Sequence, residues 1–149
     1  MTAVAAFSQT KVYFSPNGGC QDAIISEISR AKNTIDIAMY NFTSREIAKE
    51  LVSAKDRGVK VRVFMDEKTA RDNKYSKDSY LSENGIEVRY YNKDKSIMHN
   101  KFAIMDNQVL ITGSFNWTPT ANWHNEENLL IITDPDIVKQ YYKRFEHLW

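Results

Sequence analysis

Short β-rich segments alternate with helical segments along this chain, and the alternation limits the folds that it can adopt. Runs of β-branched and aromatic residues occupy positions 12–14, 34–40, 59–65, 86–91 and 128–133. Apolar residues recur at helical spacing over positions 22–31, 44–57 and 135–149. Strands that alternate with helices of roughly ten to fourteen residues indicate an α/β fold, in which helices cover both faces of one sheet.

The bulk properties of the sequence set limits on its organisation and partners. A length of 149 residues predicts one domain, residues 1–149, and a net charge of +1 means that any polyanion site is a local patch. Stable membrane insertion is not expected, because no run approaches the ~20 apolar residues that cross a membrane. Positions 2–7 resemble a signal-peptidase site, but no charged region or long apolar segment precedes them. We expect a periplasmic or secreted protein if an export signal was removed, and a cytoplasmic protein otherwise.

A β-hairpin is predicted over Lys101–Met105 and residues 108–112, joined by the turn Asp106-Asn107. Asp and Asn tolerate the left-handed backbone angles that tight hairpin turns require. Since directly opposed residues share a face of the sheet, this pairing predicts one face that is polar at its open end. That polar end comprises His99, Lys101, Thr112, Ser114 and Asn116. The opposite face is predicted to join the core through Phe102, Ile104, Val109, Ile111 and Phe115.

The polar end of the hairpin is suited to phosphoryl chemistry. Lysine, asparagine and serine side chains donate to phosphoryl or carboxylate oxygens, and a neutral histidine beside them can act as a nucleophile or a base. None of the three histidines has the spacing of a helical zinc pair, and the sequence has no glycine-rich phosphate loop. A lone histidine is more often structural, but several polar groups on one face favour a site. We therefore predict metal-free phosphoryl chemistry that needs no cofactor.

The spacing of these residues resembles the motif of the phospholipase D superfamily. The pattern His-x-Lys-x4-Asp-x6-Gly-Ser-x-Asn is formed here by His99, Lys101, Asp106, Gly113, Ser114 and Asn116. Residues 127–130 resemble the segment that carries the family's glutamate, and residues 40–44 and 58–66 resemble its small bacterial nucleases. The resemblance runs from about position 13 to position 149. It implies a phospholipase D-like fold, with a mixed β-sheet flanked by helices on both faces.

The resemblance also implies a role for each matching residue. His99 would attack phosphorus in line and form a phosphohistidine that water then hydrolyses. Lys101 and Asn116 would hold the non-bridging oxygens as negative charge develops on them. Glu127 would bind the far nitrogen of His99 and fix its tautomer. Ser114 would bind within the same group of residues and contribute to substrate binding.

A second subunit is expected to complete the site. Larger members of the family carry two copies of the motif, whereas this chain carries one. The leaving group needs a proton donor opposite the nucleophile, so the resemblance implies a homodimer in which two His99 side chains face each other. His124 of the same chain is the alternative proton donor. Asp106 lies in the predicted turn, away from His99, and is interpreted as structural support.

Nucleic acid is the expected substrate, because the small single-motif proteins that this chain resembles are mostly nucleases. Residues 66–77 are predicted to form a loop whose basic part, residues 68–77 with Lys68 and Arg71, contacts the phosphates of DNA or, alternatively, of RNA. The other interpretation of this segment is a solvated surface loop. Trp117 and Trp123 are candidates either to stack bases or to pack the sheet edge. Phospholipase-type hydrolysis of a lipid phosphodiester and a non-catalytic nucleic-acid-binding module are the alternative functions.

Overall fold

One mixed sheet organises the protein, whose computed structural model describes residues 8–149. The strands are β1 Thr10–Ser15, β2 Thr34–Met39, β3 Lys60–Asp66, β4 Glu87–Tyr91, β5 Lys101–Met105, β6 Val109–Gly113 and β7 Glu127–Ile132. They lie in the order β1-β7-β6-β5-β2-β3-β4, and β2, β3 and β4 are parallel while the remaining pairs are antiparallel. Positions 2–7, which resemble a signal-peptidase site, lie outside the described residues.

Helices cover both faces of this sheet, which confirms the predicted fold class. They are α1 Cys20–Arg30, α2 Arg45–Asp56, α3 Glu67–Asp72, α4 Asp78–Glu83, α5 Pro119–Trp123 and α6 Pro135–Leu148. Apolar residues of α1 to α5 pack on one face of the sheet, and Val138 and Phe145 of α6 pack on the other. Ser44 caps α2 by accepting a hydrogen bond from the N–H of Ile47, as serine commonly does at the start of a helix. Within the described residues, no helix is long and apolar enough to span a membrane.

The hairpin forms, but its register differs by one residue from the predicted one. Phe102 lies opposite Thr112, so the predicted pairing of Lys101 with Thr112 is wrong. The turn residues Asp106 and Asn107 both have φ 53°. The N–H of Gln108 donates to the carbonyl of Met105, the residue before the turn, at 2.9 Å. Because Gln108 belongs to the turn, the second strand starts one residue later than predicted.

The shifted register changes which side chains share a face. The predicted single core face was wrong, since both faces of the hairpin are apolar: Ala103, Met105 and Ile111 pack towards α1 and α2, and Phe102, Ile104 and Leu110 pack towards α6. Helices cover both faces of the sheet, so its central strands carry apolar residues at nearly every position. The polar residues therefore collect at the ends of the strands and not along one face.

The predicted loop over residues 66–77 is wrong in its first half, which forms α3. The Asp66 carboxylate caps this helix by accepting the N–H of Thr69 at 3.0 Å. A helix of six residues is too short to show an apolar period, so the cap and the acidic Glu67 in its first turn were its only sequence signals. The equally short α5 is capped by Thr118, whose side chain accepts the N–H of Ala121.

Asp106 fastens the hairpin turn to the loop between α1 and β2. Its carboxylate accepts the backbone N–H groups of Lys32, Asn33 and Thr34 at 2.9, 2.7 and 2.9 Å. Partial burial acts to raise the pKa of this carboxyl, but the three backbone hydrogen bonds outweigh it and the pKa lies below its usual 3.8. Asp106 thus lies at the far end of β5 from His99.

Candidate active site

The antiparallel order of three strands brings distant parts of the sequence together at one edge of the sheet. The start of β5, the end of β6 and the start of β7 meet there, since β5 pairs with β6 and β6 with β7 in antiparallel fashion. These strand ends carry Lys101, Gly113 and Glu127. The end of β2 lies at the same edge, because Met39 pairs with Lys101. This geometry explains how a motif spread over almost thirty residues forms one cluster.

His99 precedes β5 and presents an exposed imidazole at this edge. The N–H of Met98 donates to the Asp66 carboxylate at 3.0 Å, and the N–H of Tyr40 donates to the carbonyl of Asn100 at 3.0 Å. These bonds fix the backbone on both sides of His99 to the ends of β2 and β3. The Tyr40 ring lies 4.5 Å from the imidazole, centroid to centroid. The histidine is therefore held in place while its nitrogens remain accessible.

Lys101 lies directly beside this imidazole. Its Nζ is 3.1 Å from both ring nitrogens of His99 and 2.8 Å from the His99 carbonyl oxygen. Burial lowers the pKa of the Lys101 ammonium from its usual 10.5, and the negative charge of Glu127 opposes this shift. An ammonium and an imidazole thus face the same region, where a phosphoryl group could be attacked and its charge stabilised.

Glu127 contacts Ser114 and not His99. The Ser114 hydroxyl donates to the Glu127 carboxylate and accepts the N–H of Asn128 at 3.0 Å. The side-chain amide of Asn125 donates to the other carboxylate oxygen at 3.1 Å. Within residues 8–149 the predicted hydrogen bond between Glu127 and His99 is not formed, so this expectation is wrong for the single chain. β6 lies between β5 and β7, and Ser114, which directly follows β6, donates its hydroxyl hydrogen bond to the Glu127 carboxylate.

The glycine of the motif allows a close approach of β6 and β7. Gly113 has φ 149°, and a Cβ at this position would lie 2.2 Å from the carbonyl oxygen of Asn128. The adjacent N–H of Ser114 donates to the same carbonyl at 3.1 Å. Only a residue without a side chain therefore allows the contact that positions Ser114 against Glu127.

Asn116 completes a polar cleft. Its neighbours Phe115 and Trp117 are buried, while the Asn116 side chain lines the cleft and its Oδ1 is buried without a hydrogen-bond partner among the described residues. The cleft measures about 570 Å³, and its lining includes His99, Lys101, Ser114, Asn116, Glu127 and Tyr141. The structure thus brings together five of the predicted site residues, namely His99, Lys101, Ser114, Asn116 and Glu127. No signal in the sequence indicated Asn125 or Tyr141, and Tyr40 was indicated only as part of the segment 40–44 that resembles bacterial nucleases.

The other predicted contact residues lie outside this cleft. Lys68 lines a second cleft together with Tyr40. Arg71 is directed elsewhere: its guanidinium lies 4.9 Å from the ring centroid of Tyr90 and 3.7 Å from the Glu67 carboxylate. Its predicted contact with substrate phosphates therefore finds no support in the geometry.

The two tryptophans differ in their surroundings. Trp117 is 1% exposed and packs its ring edge-on against Phe42, so it belongs to the core, whereas Trp123 is 56% exposed. His124, the alternative proton donor, caps the end of α5 and lies outside the lining of the 570 Å³ cleft. Among residues 8–149, no group of three or more His, Cys, Asp or Glu side chains is arranged to hold a metal ion.

Comparison with known proteins assigns the family. The family model described as "Cardiolipin synthase, PLD-like domain" matches residues 24–149. Phospholipase D of Rickettsia felis is 36% identical over 138 residues, which cover 93% of this chain and 68% of that protein. The mitochondrial cardiolipin hydrolase of Mus musculus is 36% identical over 126 residues, which cover 85% of this chain and 56% of the relative.

A solved structure gives the same assignment. Nuc from Salmonella typhimurium, a phospholipase D family member, superposes with a TM-score of 0.89 at 33% identity. The superposition covers 96% of this chain and 95% of Nuc, so the whole sheet and its helices are shared. The predicted family is therefore confirmed: the chain belongs to the phospholipase D superfamily, whose members are phosphodiesterases.

Proposed function

We propose that this protein is a metal-independent endonuclease that cleaves DNA, with RNA as a second candidate substrate, through a phosphohistidine intermediate. The observation that carries the proposal is the contact between Lys101 and His99. An accessible imidazole lies 3.1 Å from an ammonium group in an open polar cleft. This pair supplies both a nucleophile and positive charge for the developing oxyanion, from the chain's own side chains.

The proposed reaction proceeds in two displacements at phosphorus. In the first, a nitrogen of His99 forms a bond to phosphorus while the bond to one ester oxygen breaks, and that oxygen leaves with a proton from a general acid. In the second, water attacks phosphorus and gives a proton to the group that acted as the general acid, the nitrogen–phosphorus bond breaks and a phosphomonoester is released. The Lys101 ammonium and the Asn116 amide hold the non-bridging oxygens during both steps.

Trapping the intermediate tests this mechanism. Denaturing the reaction at alkaline pH within the first turnover is expected to leave DNA covalently attached to the protein, because phosphohistidine is stable in alkali and labile in acid. Acid treatment should then release the DNA, and His99→Ala should form no adduct. An adduct of equal yield on His99→Ala, or rapid cleavage by wild type without any adduct, would exclude histidine as the nucleophile.

The general acid is proposed to be His99 of a second subunit. The 570 Å³ cleft of the single chain is lined by one histidine, His99. Within the described residues, the Glu127 carboxylate accepts hydrogen bonds from Ser114 and Asn125 and not from this histidine. Two clefts that face each other across a two-fold axis would supply one neutral and one protonated imidazole.

Subunit mixing distinguishes a shared site from independent sites. If wild-type and His99→Ala chains are mixed in equal amounts and allowed to exchange, a shared site leaves activity only in the wild-type dimers, about one quarter of the total. Independent sites would leave about one half. Activity per wild-type chain, measured over a series of mixing ratios, separates the two models. Total activity that is strictly proportional to the wild-type fraction, so that activity per wild-type chain stays constant, would contradict the shared site.

The state of Lys101 should be visible in the pH dependence of cleavage. Because burial lowers the pKa of this ammonium from 10.5, kcat/KM should fall on the alkaline side with a midpoint below that value. Glu127 acts to raise the same pKa, so Glu127→Gln should move the alkaline midpoint to lower pH. Lys101→Arg is the control, since a guanidinium stays protonated throughout this range and should remove this limb. A midpoint that Glu127→Gln leaves unchanged would contradict the assignment.

Hydrolysis of a lipid phosphodiester is the second candidate function. It is favoured by the similarity to a protein named mitochondrial cardiolipin hydrolase, and it requires the same chemistry at phosphorus. Release of phosphatidate from cardiolipin-containing vesicles, measured beside cleavage of DNA at equal phosphodiester concentration, compares the two. Higher turnover of the vesicles would replace the nuclease proposal.

A further inference from the structure

A tyrosine lies at the boundary between two clefts beside the proposed active site. Tyr75 follows α3 and is 63% exposed. One cleft, of about 640 Å³, is lined by Tyr75 together with Tyr40 and Lys68. The other, of about 490 Å³, is lined by Tyr75 together with Asn116 and Lys77. The Tyr75 side chain therefore borders both clefts, and Lys74 lies over one face of its ring.

Both clefts lie next to the catalytic cleft. Tyr40, which lines the 640 Å³ cleft, contacts the His99 ring at 4.5 Å. Asn116 lines both the 490 Å³ cleft and the catalytic cleft. A chain whose phosphodiester lies at His99 could thus pass along either side of Tyr75 without leaving the surface of the protein.

The backbone that carries Tyr75 is held in place by hydrogen bonds. The N–H of Tyr75 donates to Asn73 Oδ1 at 3.0 Å, and the N–H of Lys77 donates to the carbonyl of Phe42 at 3.0 Å. The Asn73 amide in turn lies 3.4 Å from Asn41 Oδ1. A ring presented from a fixed backbone loses little conformational entropy when a ligand stacks on it.

The chemistry of the clefts favours a nucleotide. The wall of the 490 Å³ cleft is rich in neutral amides and hydroxyls, contributed by Asn41, Thr43, Thr118, Thr120 and Asn125. Such groups match the donors and acceptors on base edges, whereas an acyl chain offers them no hydrogen-bond partner. Lys74 and Lys77 flank the ring, and Lys74 Nζ lies 4.9 Å from its centroid. Two acidic residues, Asp66 and Asp72, also line the 640 Å³ cleft. The Asp66 carboxylate already accepts two backbone N–H groups, so Asp72 is the remaining acidic residue that a substrate phosphate would meet there.

We propose that Tyr75 stacks on an unpaired nucleobase next to the scissile phosphate, so that single-stranded nucleic acid is the preferred substrate. The inference rests on the proposed nuclease function and adds the substrate class to it. A base inside a duplex has both faces covered by its neighbours and cannot stack on a protein ring, whereas a single strand exposes those faces. Lys74 and Lys77 would contact the phosphates on either side of the stacked base.

Abasic oligonucleotides test this stacking directly. The substrates are a single-stranded DNA oligonucleotide, the same strand with tetrahydrofuran abasic residues around the cleavage position, and its duplex. Wild type is expected to show a kcat/KM about 10-fold higher on the strand with bases than on the abasic strand, the size expected for one stacked base. Tyr75→Ala should lose this ratio, and Tyr75→Phe should retain it because the ring remains. Tyr80→Ala, an exposed tyrosine on α4, is the matched control.

The outcomes separate this inference from the proposed function. If Tyr75→Ala still prefers the strand with bases as wild type does, or if wild type prefers the duplex, Tyr75 is not the stacking residue and the inference is wrong. If wild type cuts both single strands equally well, the inference again fails while the nuclease function stands. If wild type cuts none of the three substrates, the nuclease function itself fails.

Discussion

Replacing His99 with alanine is expected to lower kcat for phosphodiester cleavage by about 10⁴-fold or more, because the nucleophile is lost. The imidazole is exposed and contacts mainly Tyr40 and Lys101, so the free energy of unfolding should change by no more than about 0.5 kcal/mol. Single-turnover cleavage and urea unfolding measure the two quantities on the same preparations. A variant that loses activity only because it unfolds would contradict the assignment.

Two further histidines of the chain serve as comparisons for this result. His147→Ala, in the last turn of α6, should keep the wild-type kcat. His124→Ala tests the alternative proton donor: a loss of kcat as large as that of His99→Ala would replace the partner subunit's histidine with one from the same chain. DNA binding should survive in His99→Ala, since the phosphate contacts remain. If wild type binds DNA as this variant does but never cleaves it, the protein is instead a nucleic-acid-binding module.

Replacing Gly113 with alanine is expected to damage both stability and activity. The new Cβ would lie 2.2 Å from the Asn128 carbonyl oxygen and 3.1 Å from Leu129 Cα, so the ends of β6 and β7 would have to separate. Overpacking against backbone atoms, with a φ of 149°, should destabilise the protein by about 2–4 kcal/mol. Displacement of Ser114 and its carboxylate partner by about 1 Å should lower kcat by about 10²-fold.

A second glycine separates this steric effect from backbone strain. Gly58 also has a positive φ, of 96°, but a Cβ there would meet no described heavy atom within 4 Å. Gly58→Ala should therefore cost only about 1 kcal/mol and leave kcat unchanged, since the loop after α2 lies away from the cleft. Urea midpoints and kcat/KM of the two variants make the comparison. Equal effects in both would show that close approach of β6 and β7 is not what Gly113 provides.

The strands and longer helices could be predicted because their signals are local. The Ser44 cap and the paired turn residues Asp106 and Asn107 each determine the backbone within a few positions. The sheet register could not be predicted in the same way. Whether Gln108 belongs to the turn or to the strand depends on hydrogen bonds across the hairpin, and an error of one residue moves every side chain to the other face.

The same distinction between local and distant contacts applies to the site. Lys101 is the first residue of β5, and His99 lies two positions before it. Their proximity therefore followed from the sequence alone. The partner of Glu127 depends instead on which strand lies between β5 and β7, and the structure places Ser114 there. The position of Tyr75 depends on α3, a helix too short to be recognised from its period, and on distant contacts with Asn41 and Phe42.

Cleavage in the presence of a chelator tests the central claim most directly. Labelled single-stranded DNA, double-stranded DNA and RNA are each incubated with wild type and with His99→Ala, with and without excess EDTA. We expect wild type to cut single-stranded DNA at the same rate with and without EDTA, and His99→Ala to leave it intact under both conditions. Complete loss of wild-type cleavage with EDTA, or cleavage by His99→Ala at the wild-type rate, would contradict a metal-independent phosphohistidine mechanism.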